Sequence, residues 1–343
     1  MKSLKIHGPL DLRIDDYPLD DLGPNQVEIK IAIGGICGTD LHYYKHGGFG
    51  KIKLREPMIL GHEVSGFIVK IGSKVENLSI GQLVSVSPSR PCNKCNFCLS
   101  GIQIQCINMK FYGSAMPFPH IQGAFREILI VEDYQCVSAD GLSSQEAAMA
   151  EPLAVCLHAV KQAEKIFGQK VLITGSGPIG TLCVAAARRA GAKEIIVTDI
   201  SANALTFSNS LGADKVINVL EEQDKLKKYQ SNKGYFDIAI ECSGSAQGIS
   251  DAINCLKPKG TLIQLGLGGD VLIPLVSVTT KELNLRGSFR FHSEFELAVD
   301  MMKKKLINVN PLITHKLDFK SAKDAFELAM NNDKKSMKVQ LSF

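Results

Sequence analysis

A cysteine at 37, a histidine at 62 and a carboxylate at 63 share the stretch GGICGTDLHYYKHGGFGKIKLREPMILGHE, residues 34–63. Thiolate, imidazole and carboxylate suit Zn²⁺ in a site that the protein leaves open, so that a substrate oxygen can reach the metal. Thr39, Asp40, His42 and Tyr43 lie between them, all able to donate or accept protons. For this stretch alone, the alternative is a buried cysteine and a core histidine that happen to be neighbours. A second set is denser. Cys92, Cys95, Cys98 and Cys106 follow C-x2-C-x2-C-x7-C in PCNKCNFCLSGIQIQC. Four thiolates so spaced can close a tetrahedral shell at Zn–S distances of about 2.3 Å, leaving no position for substrate, which makes the site structural. So small a lobe depends on its metal for much of its stability. An iron–sulfur cluster is the competing reading, because it uses similar spacing.

A third set concerns a nucleotide. In KVLITGSGPIGTLCVAAARRAGAKEIIVTDIS an apolar run at 171–174 leads into Gly175, Gly177, Pro178, Ile179 and Gly180. A helical stretch follows, then a second apolar run ending at Asp199, nineteen positions after the last glycine. G-x-G-x-x-G alone is weak, but between strand and helix, with an acid ending the next strand, it reads as a dinucleotide turn. Gly175 allows the tight turn, Gly177 admits pyrophosphate to the backbone, and Gly180 permits close helix–strand packing. The helix amino terminus offers its positive dipole end to the phosphates. Asp199 would accept hydrogen bonds from the adenosine ribose and repel a 2′-phosphate, which favours NAD while leaving NADP use open.

The elements that must position these groups differ along the chain. Residues 1 to about 85 read as short alternating strands broken by Gly and Asn, with no long helical period. Residues 111–125, FYGSAMPFPHIQGAF, form a Pro/Gly-rich loop containing His120. From Ser143 an Ala-rich helical pattern appears, and Pro152 inside it should start a new segment or kink the old one. Glu151 thus sits at a boundary, facing the first site or, as an isolated acid, solvent. Repeated strand–helix units from Lys170 predict a doubly wound parallel sheet with right-handed crossovers. The expected domains are a β-rich catalytic zinc domain over 1–150, completed by 290–343, and a nucleotide-binding domain over 151–289.

Composition removes several function classes. The 343 residues are 45% hydrophobic and 22% charged, with a net charge of +4 and no basic block, so nucleic acid is not the expected partner. The start, MKSLKIHGPLDLRIDDYPL, is interrupted by charge, and no run reaches the ~18 apolar residues of a membrane span. Ten cysteines without an export signal point to metal or thiol roles and to the cytoplasm.

Taken together, GGICGTDLH, GHEVSG, the four-cysteine lobe, AEPLAV and the glycine motif with its Asp resemble the zinc-containing medium-chain dehydrogenases over nearly the whole chain. The GHE order is similar to the polyol branch, and Glu151 stands where many alcohol dehydrogenases place a second cysteine. The resemblance implies an α/β fold, a Rossmann doubly wound parallel sheet domain plus a β-rich GroES-like catalytic domain. It implies two zinc ions per chain. Cys37, His62 and Glu63 would hold the catalytic zinc, with Glu151 as direct or water-mediated partner; Cys92, Cys95, Cys98 and Cys106 would hold the structural one.

Metal-bound hydroxyl would lose its proton through Thr39 and His42, while Asp40 orients a ligand histidine. The implied reaction interconverts a secondary alcohol of a sugar acid, L-idonate, and its ketone 5-dehydrogluconate with NAD(H). Arg290 would meet the substrate carboxylate, with His120 and His292 as helpers and Tyr43 donating to a hydroxyl. The competing readings are a surface salt bridge for Arg290 and ordinary packing for Tyr43. Neutral polyols such as sorbitol or xylitol, or threonine, are the alternative substrates. A nucleotide-binding protein without turnover is the non-enzyme alternative, against which the intact Cys37, Thr39, His42, His62, Glu63 and Glu151 set argues. The resemblance also implies a homo-oligomer, dimer or tetramer, joined edge to edge through the nucleotide domains.

Overall fold

Strand Gln26–Gly35 is the axis on which the first sheet is built in this computed structural model, which describes residues 1–331 and 336–343. Its apolar residues at 27, 29, 31 and 33 are buried, the period expected of a strand with one face in a core. Strand Glu63–Ile71 runs antiparallel along one side. Ile128–Glu132 and the carboxy-terminal Lys338–Ser342 share the other. Leu83–Val86, Cys136–Ser138 and Ile313–Asp318 complete a seven-stranded sheet among the described residues.

Two compact units divide the chain. Unit 1 is Met1–Glu151 with Phe295–Lys305 and Ile313–Phe343; unit 2 is Pro152–Glu294 with Leu306–Leu312. The carboxy-terminal return is therefore split, unlike the expected 290–343 block. Glu294 stays with unit 2 because its buried carboxylate accepts the Lys161 ammonium at 2.9 Å and meets His158 at 3.4 Å. The turn Asn310–Leu312 packs on helix Ala202–Ser210.

Unit 2 holds a six-stranded sheet, every pair parallel, with Lys170–Thr174 near its middle. On one side lie Glu194–Asp199 and Lys215–Asn218; on the other, Phe236–Glu241, Leu256–Gln264 and Asn284–Gly287. The runs VLI, IIV and IAI are buried throughout, as strands covered on both faces must be. The order reverses at Lys170–Thr174, so its carboxyl end opens onto a crevice where ligands bind in such sheets.

One local expectation changes and another holds. Residues 38–46 form a helix, Gly38–His46, inside the region read as strands. The Asp40 carboxylate accepts the Cys37 N–H to start it, and Gly47, at φ 64°, ends it in the left-handed conformation. Pro152 starts a new segment as expected: the short helix Ser144–Ala147 ends, and Pro152 sits in the first turn of the next helix, Ala150–Gln162, where a helix needs no N–H. Among the described residues no helix is long and apolar enough to cross a membrane.

Candidate active site

Cys37 leaves the end of strand Gln26–Gly35, and Glu63 opens the neighbouring strand, with Gly35 directly opposite Glu63. That register brings residues far apart in sequence into one place. A Cβ on Gly35 would lie 2.2 Å from Glu63 Oε2, so only glycine leaves room for the carboxylate. Asp40 ties the two ligand-bearing turns together: its Oδ2 accepts the Cys37 N–H at 3.0 Å and its Oδ1 the Gly61 N–H at 3.1 Å. Gly61, at φ 90°, also abuts the Phe125 ring, where a Cβ would come within 2.1 Å. The outcome is a buried cluster in which one donor atom each of Cys37, His62 and Glu63 lies within 4.8 Å of the others.

The residue that the sequence reading missed is Lys338. Its ammonium, 2% exposed, donates to both oxygens of Glu63 at 2.8 and 2.7 Å and to the Ile36 carbonyl at 3.2 Å. Its signal was a lysine in the apolar closing strand, an unexpected buried charge. Burial pulls its pKa down, yet the Glu63 and Cys37 charges outweigh that and raise it.

The other titrations show a donor set that burial holds protonated. Burial, then the Glu63 carboxylate, push the Cys37 thiol up to about 12. Burial is again the main cause that pushes Glu151 up to about 8; Glu63 and Cys37 add to it, against His62 and Lys338. Four acidic groups, Cys37, Asp40, Glu63 and Glu151, thus crowd one cationic side chain, and His62 Nδ1 is buried without a hydrogen-bond partner. A divalent cation fits this donor set, because it favours the deprotonated ligands that burial opposes.

Other expected site residues are placed as follows. Asp40 lies 3.9 Å from His62 Nδ1, too far for a hydrogen bond, because its oxygens are taken by the two backbone N–H groups. It positions ligand turns rather than the imidazole. Tyr43 is 1% exposed, packed in the core, and its hydroxyl accepts the Ala115 N–H at 3.0 Å. His120 has both ring nitrogens occupied: Nδ1 donates to the Pro117 carbonyl and Nε2 accepts the Arg55 N–H, each at 2.9 Å. These two bonds pin its loop and leave neither ring nitrogen for a substrate. Thr39 and His42 lie on helix Gly38–His46, Thr39 half-buried and His42 exposed. Arg290, in unit 2, has a left-handed backbone at φ 55° and its guanidinium stacks on Phe289 at 4.8 Å. His292, exposed, donates its backbone N–H to Glu294 at 3.0 Å.

In the cysteine lobe, a sulfur from each of Cys92, Cys95, Cys98 and Cys106 lies within 4.8 Å of the others. The short helix Asn96–Leu99 brings Cys95 and Cys98 to 3.5 Å. Backbone N–H groups aim at the sulfurs: that of Lys94 is the main cause that lowers Cys92 to about 6. This donor set suits a closed metal shell.

At the nucleotide turn, helix Pro178–Arg189 starts from Gly177, around which an added Cβ would meet nothing within 4 Å. The space beside Gly177 fits a phosphate group on free backbone N–H donors. A Cβ on Gly180 would strike the Gly175 carbonyl at 1.9 Å, and Gly175 adopts φ 90°. Asp199 accepts the Ser176 N–H at 2.6 Å and the Ser201 N–H at 2.7 Å, and each oxygen keeps a lone pair for a ribose hydroxyl. Glu241 was also missed. Fully buried at the end of strand Phe236–Glu241, it accepts the N–H groups of Ser243 and Gly244 and the Gln264 amide, shaping the loops beside Gly175.

Comparison with known proteins follows the same division. Residues 23–141 match the alcohol dehydrogenase GroES-like domain, and residues 178–304 match the zinc-binding dehydrogenase family. L-idonate 5-dehydrogenase (NAD(P)(+)) of Escherichia coli is 39% identical, the alignment covering 100% of this chain and 98% of that one. Sorbitol dehydrogenase of Bos taurus is 36% identical over 95% of this chain and 92% of its own. The crystal structure of the Escherichia coli L-idonate 5-dehydrogenase superposes with a TM-score of 0.95 at 37% identity, covering 100% of this chain and 98% of that chain.

Proposed function

The chain belongs to the zinc-binding dehydrogenase family, and from that premise we propose that it interconverts a secondary alcohol of a sugar acid, L-idonate, with its ketone using NAD(H), NADP being a second acceptable cofactor. The observation that carries the substrate class is the full-length likeness to an L-idonate 5-dehydrogenase. The convergence of Cys37, His62 and Glu63 supports the chemistry. Zinc held by these three residues, with Glu151 as direct or water-mediated partner, supplies Lewis acidity toward a substrate hydroxyl, and the nicotinamide supplies the hydride acceptor.

The protein's own groups do the rest. Lys338 holds the Glu63 carboxylate in one orientation, and Asp40 fixes the backbone that carries Cys37 and His62. Thr39 and His42, three positions apart, share a helix face and pass the substrate proton to water. Partial desolvation of the ring, although the residue as a whole is exposed, then the charges of His46 and Lys45, lower the His42 pKa, so near neutrality it is an imidazole able to take that proton. It loses that ability as pH falls through this lowered value. Gly175, Gly177, Pro178, Ile179, Gly180 and Asp199 hold the dinucleotide, making unit 1 the catalytic part and unit 2 the nucleotide-binding part. Arg290 offers the planar fork that a carboxylate suits, and its left-handed backbone is the kind of strained geometry that gathers at functional sites.

A cytoplasmic homo-oligomer completes the proposal. Strand Asn284–Gly287 closes one edge of the six-stranded sheet, and exposed Leu272, Leu275 and Val276 precede it, as a dimer or tetramer joined by nucleotide domains would use.

The test is NADH oxidation with 5-dehydrogluconate beside fructose, for wild type and Arg290→Ala. The acid should be preferred at least ~10-fold, the size of one charge-assisted pair, and the variant should lose that preference. Equal or faster turnover of fructose would keep the dehydrogenase and assign it neutral polyols, the substrate class of its sorbitol dehydrogenase relative.

A further inference from the structure

Apart from the Cys37–His62–Glu63 cluster, unit 1 contains a cavity of about 240 Å³ whose lining includes Arg90, Lys110 and Arg126, with Asp20 as the sole carboxylate of that lining. Arg90 and Lys110 face each other across the two-stranded ribbon that closes the base of the cysteine lobe. Like charges paired directly across strands destabilise a ribbon unless something neutralises them. Arg126 adds a third cation, 7% exposed, whose one side-chain hydrogen bond among the described residues runs from Nε to the Gly123 carbonyl at 3.0 Å. The Arg90 Nε is buried and has no hydrogen-bond partner among the described residues.

Among the described residues, neither arginine is held by a carboxylate. Arg90 stacks on Tyr112 at 4.9 Å and Arg126 on Tyr17 at 5.2 Å. Stacking on a ring face fixes a guanidinium plane and leaves its in-plane N–H donors for an oxyanion. Three cations against one carboxylate leave an excess of two positive charges, and the histidine in the lining, His120, has both ring nitrogens bonded to backbone groups. A phosphate monoester carries a charge of roughly −1.5 to −2 near neutrality and three acceptor oxygens.

We propose that this cavity binds a small phosphate-monoester dianion, at a site separate from the Cys37–His62–Glu63 cluster. Successive residues of the ribbon divide the two: the Phe111 ring packs on His62 at 5.8 Å, whereas Tyr112 lines the cavity beneath Arg90. The site is therefore a ligand subsite whose occupant never meets the reacting carbon.

The experiment is isothermal titration of the zinc-loaded enzyme with inorganic phosphate at constant ionic strength. Saturating NAD is present so that the glycine turn cannot take the anion. We expect one saturable site, weakened about tenfold or more by Arg90→Gln and about threefold by Lys110→Gln, as loss of charge-assisted hydrogen bonds requires. Arg126→Gln should abolish binding; should that buried variant fail to fold, the other two decide. Acetate, a monocarboxylate that is no sugar acid, should bind at least tenfold more weakly than phosphate under the same conditions. Absence of saturable phosphate binding, affinity unchanged in both Arg90→Gln and Lys110→Gln, or tighter binding of acetate would each overturn the assignment.

Discussion

The cysteine lobe and the Cys37–His62–Glu63 cluster sit in the same unit, yet they are assembled by opposite means. All four sulfurs of the lobe come from one short segment, Cys92 to Cys106, and lie together with little help from elsewhere. The other cluster draws Cys37 from the end of one strand and Glu63 from the start of its neighbour. Its buried counter-charge is Lys338, 275 positions from Glu63 in the chain. The lobe offers four identical soft donors and no open position, so a metal there can only hold structure. The cluster offers three different donors and a carboxylate already shared with a lysine, so its coordination is incomplete by design of the ligand set. Local density builds stability; long-range convergence builds a site that a substrate can enter.

That contrast can be broken by substitution, and the largest effect should come from Cys37→Ser. Turnover should fall on the order of 10³-fold or more as Lewis-acid stabilisation is lost, while thermal stability and NAD affinity stay near wild type. Loss of NAD binding together with activity would mean that the cluster holds the fold and not the chemistry. Lys338→Met should act next most strongly. It leaves the Glu63 carboxylate, 1% exposed, without a counter-charge, a change that costs about 3–5 kcal/mol in the metal-free protein. Zinc should restore most of that loss, because the metal takes over as partner to Glu63. Urea unfolding with and without a chelator measures both values, and equal destabilisation in the two states would separate Lys338 from the metal. Cys95→Ser should show the smallest effect, confined to the lobe. Its melting temperature should fall on the order of 10 °C, from loss of about 3 kcal/mol in a unit of this size, with activity per folded molecule largely kept. A normal melting point with abolished turnover would reverse the two roles.

How much of this was legible depended on whether a feature is written in neighbouring residues. Spacing alone announced the four cysteines, and the glycine turn stood out because strand, turn, helix and the acid at Asp199 follow one another directly. Cys37, His62 and Glu63 were readable as types, though their approach needed the pairing of Gly35 with Glu63. Residues whose role lies in distant partners were harder to read. Tyr43 and His120 carry groups suited to substrate contact, yet Ala115, Arg55 and Pro117 occupy those groups. Asp40 looked like an imidazole partner, and its two oxygens instead bind backbone N–H groups on two turns. Helix Gly38–His46 escaped notice because it is short and lacks an apolar stripe long enough to show a 3.6-residue period.

By itself, then, the sequence determined the metal-ligand types, the dinucleotide turn and the alternation of strands and helices that makes a parallel sheet, because all of these are set by residues within a few turns of one another. Tertiary structure alone decided that Lys338 neutralises Glu63, that Glu241 organises the loops by the glycine turn, and that Arg90, Lys110 and Arg126 share one cavity. The physical reason is common to the three. A charge is fixed in place by what surrounds it after folding, and burial multiplies the strength of a pairing that no spacing in the chain records.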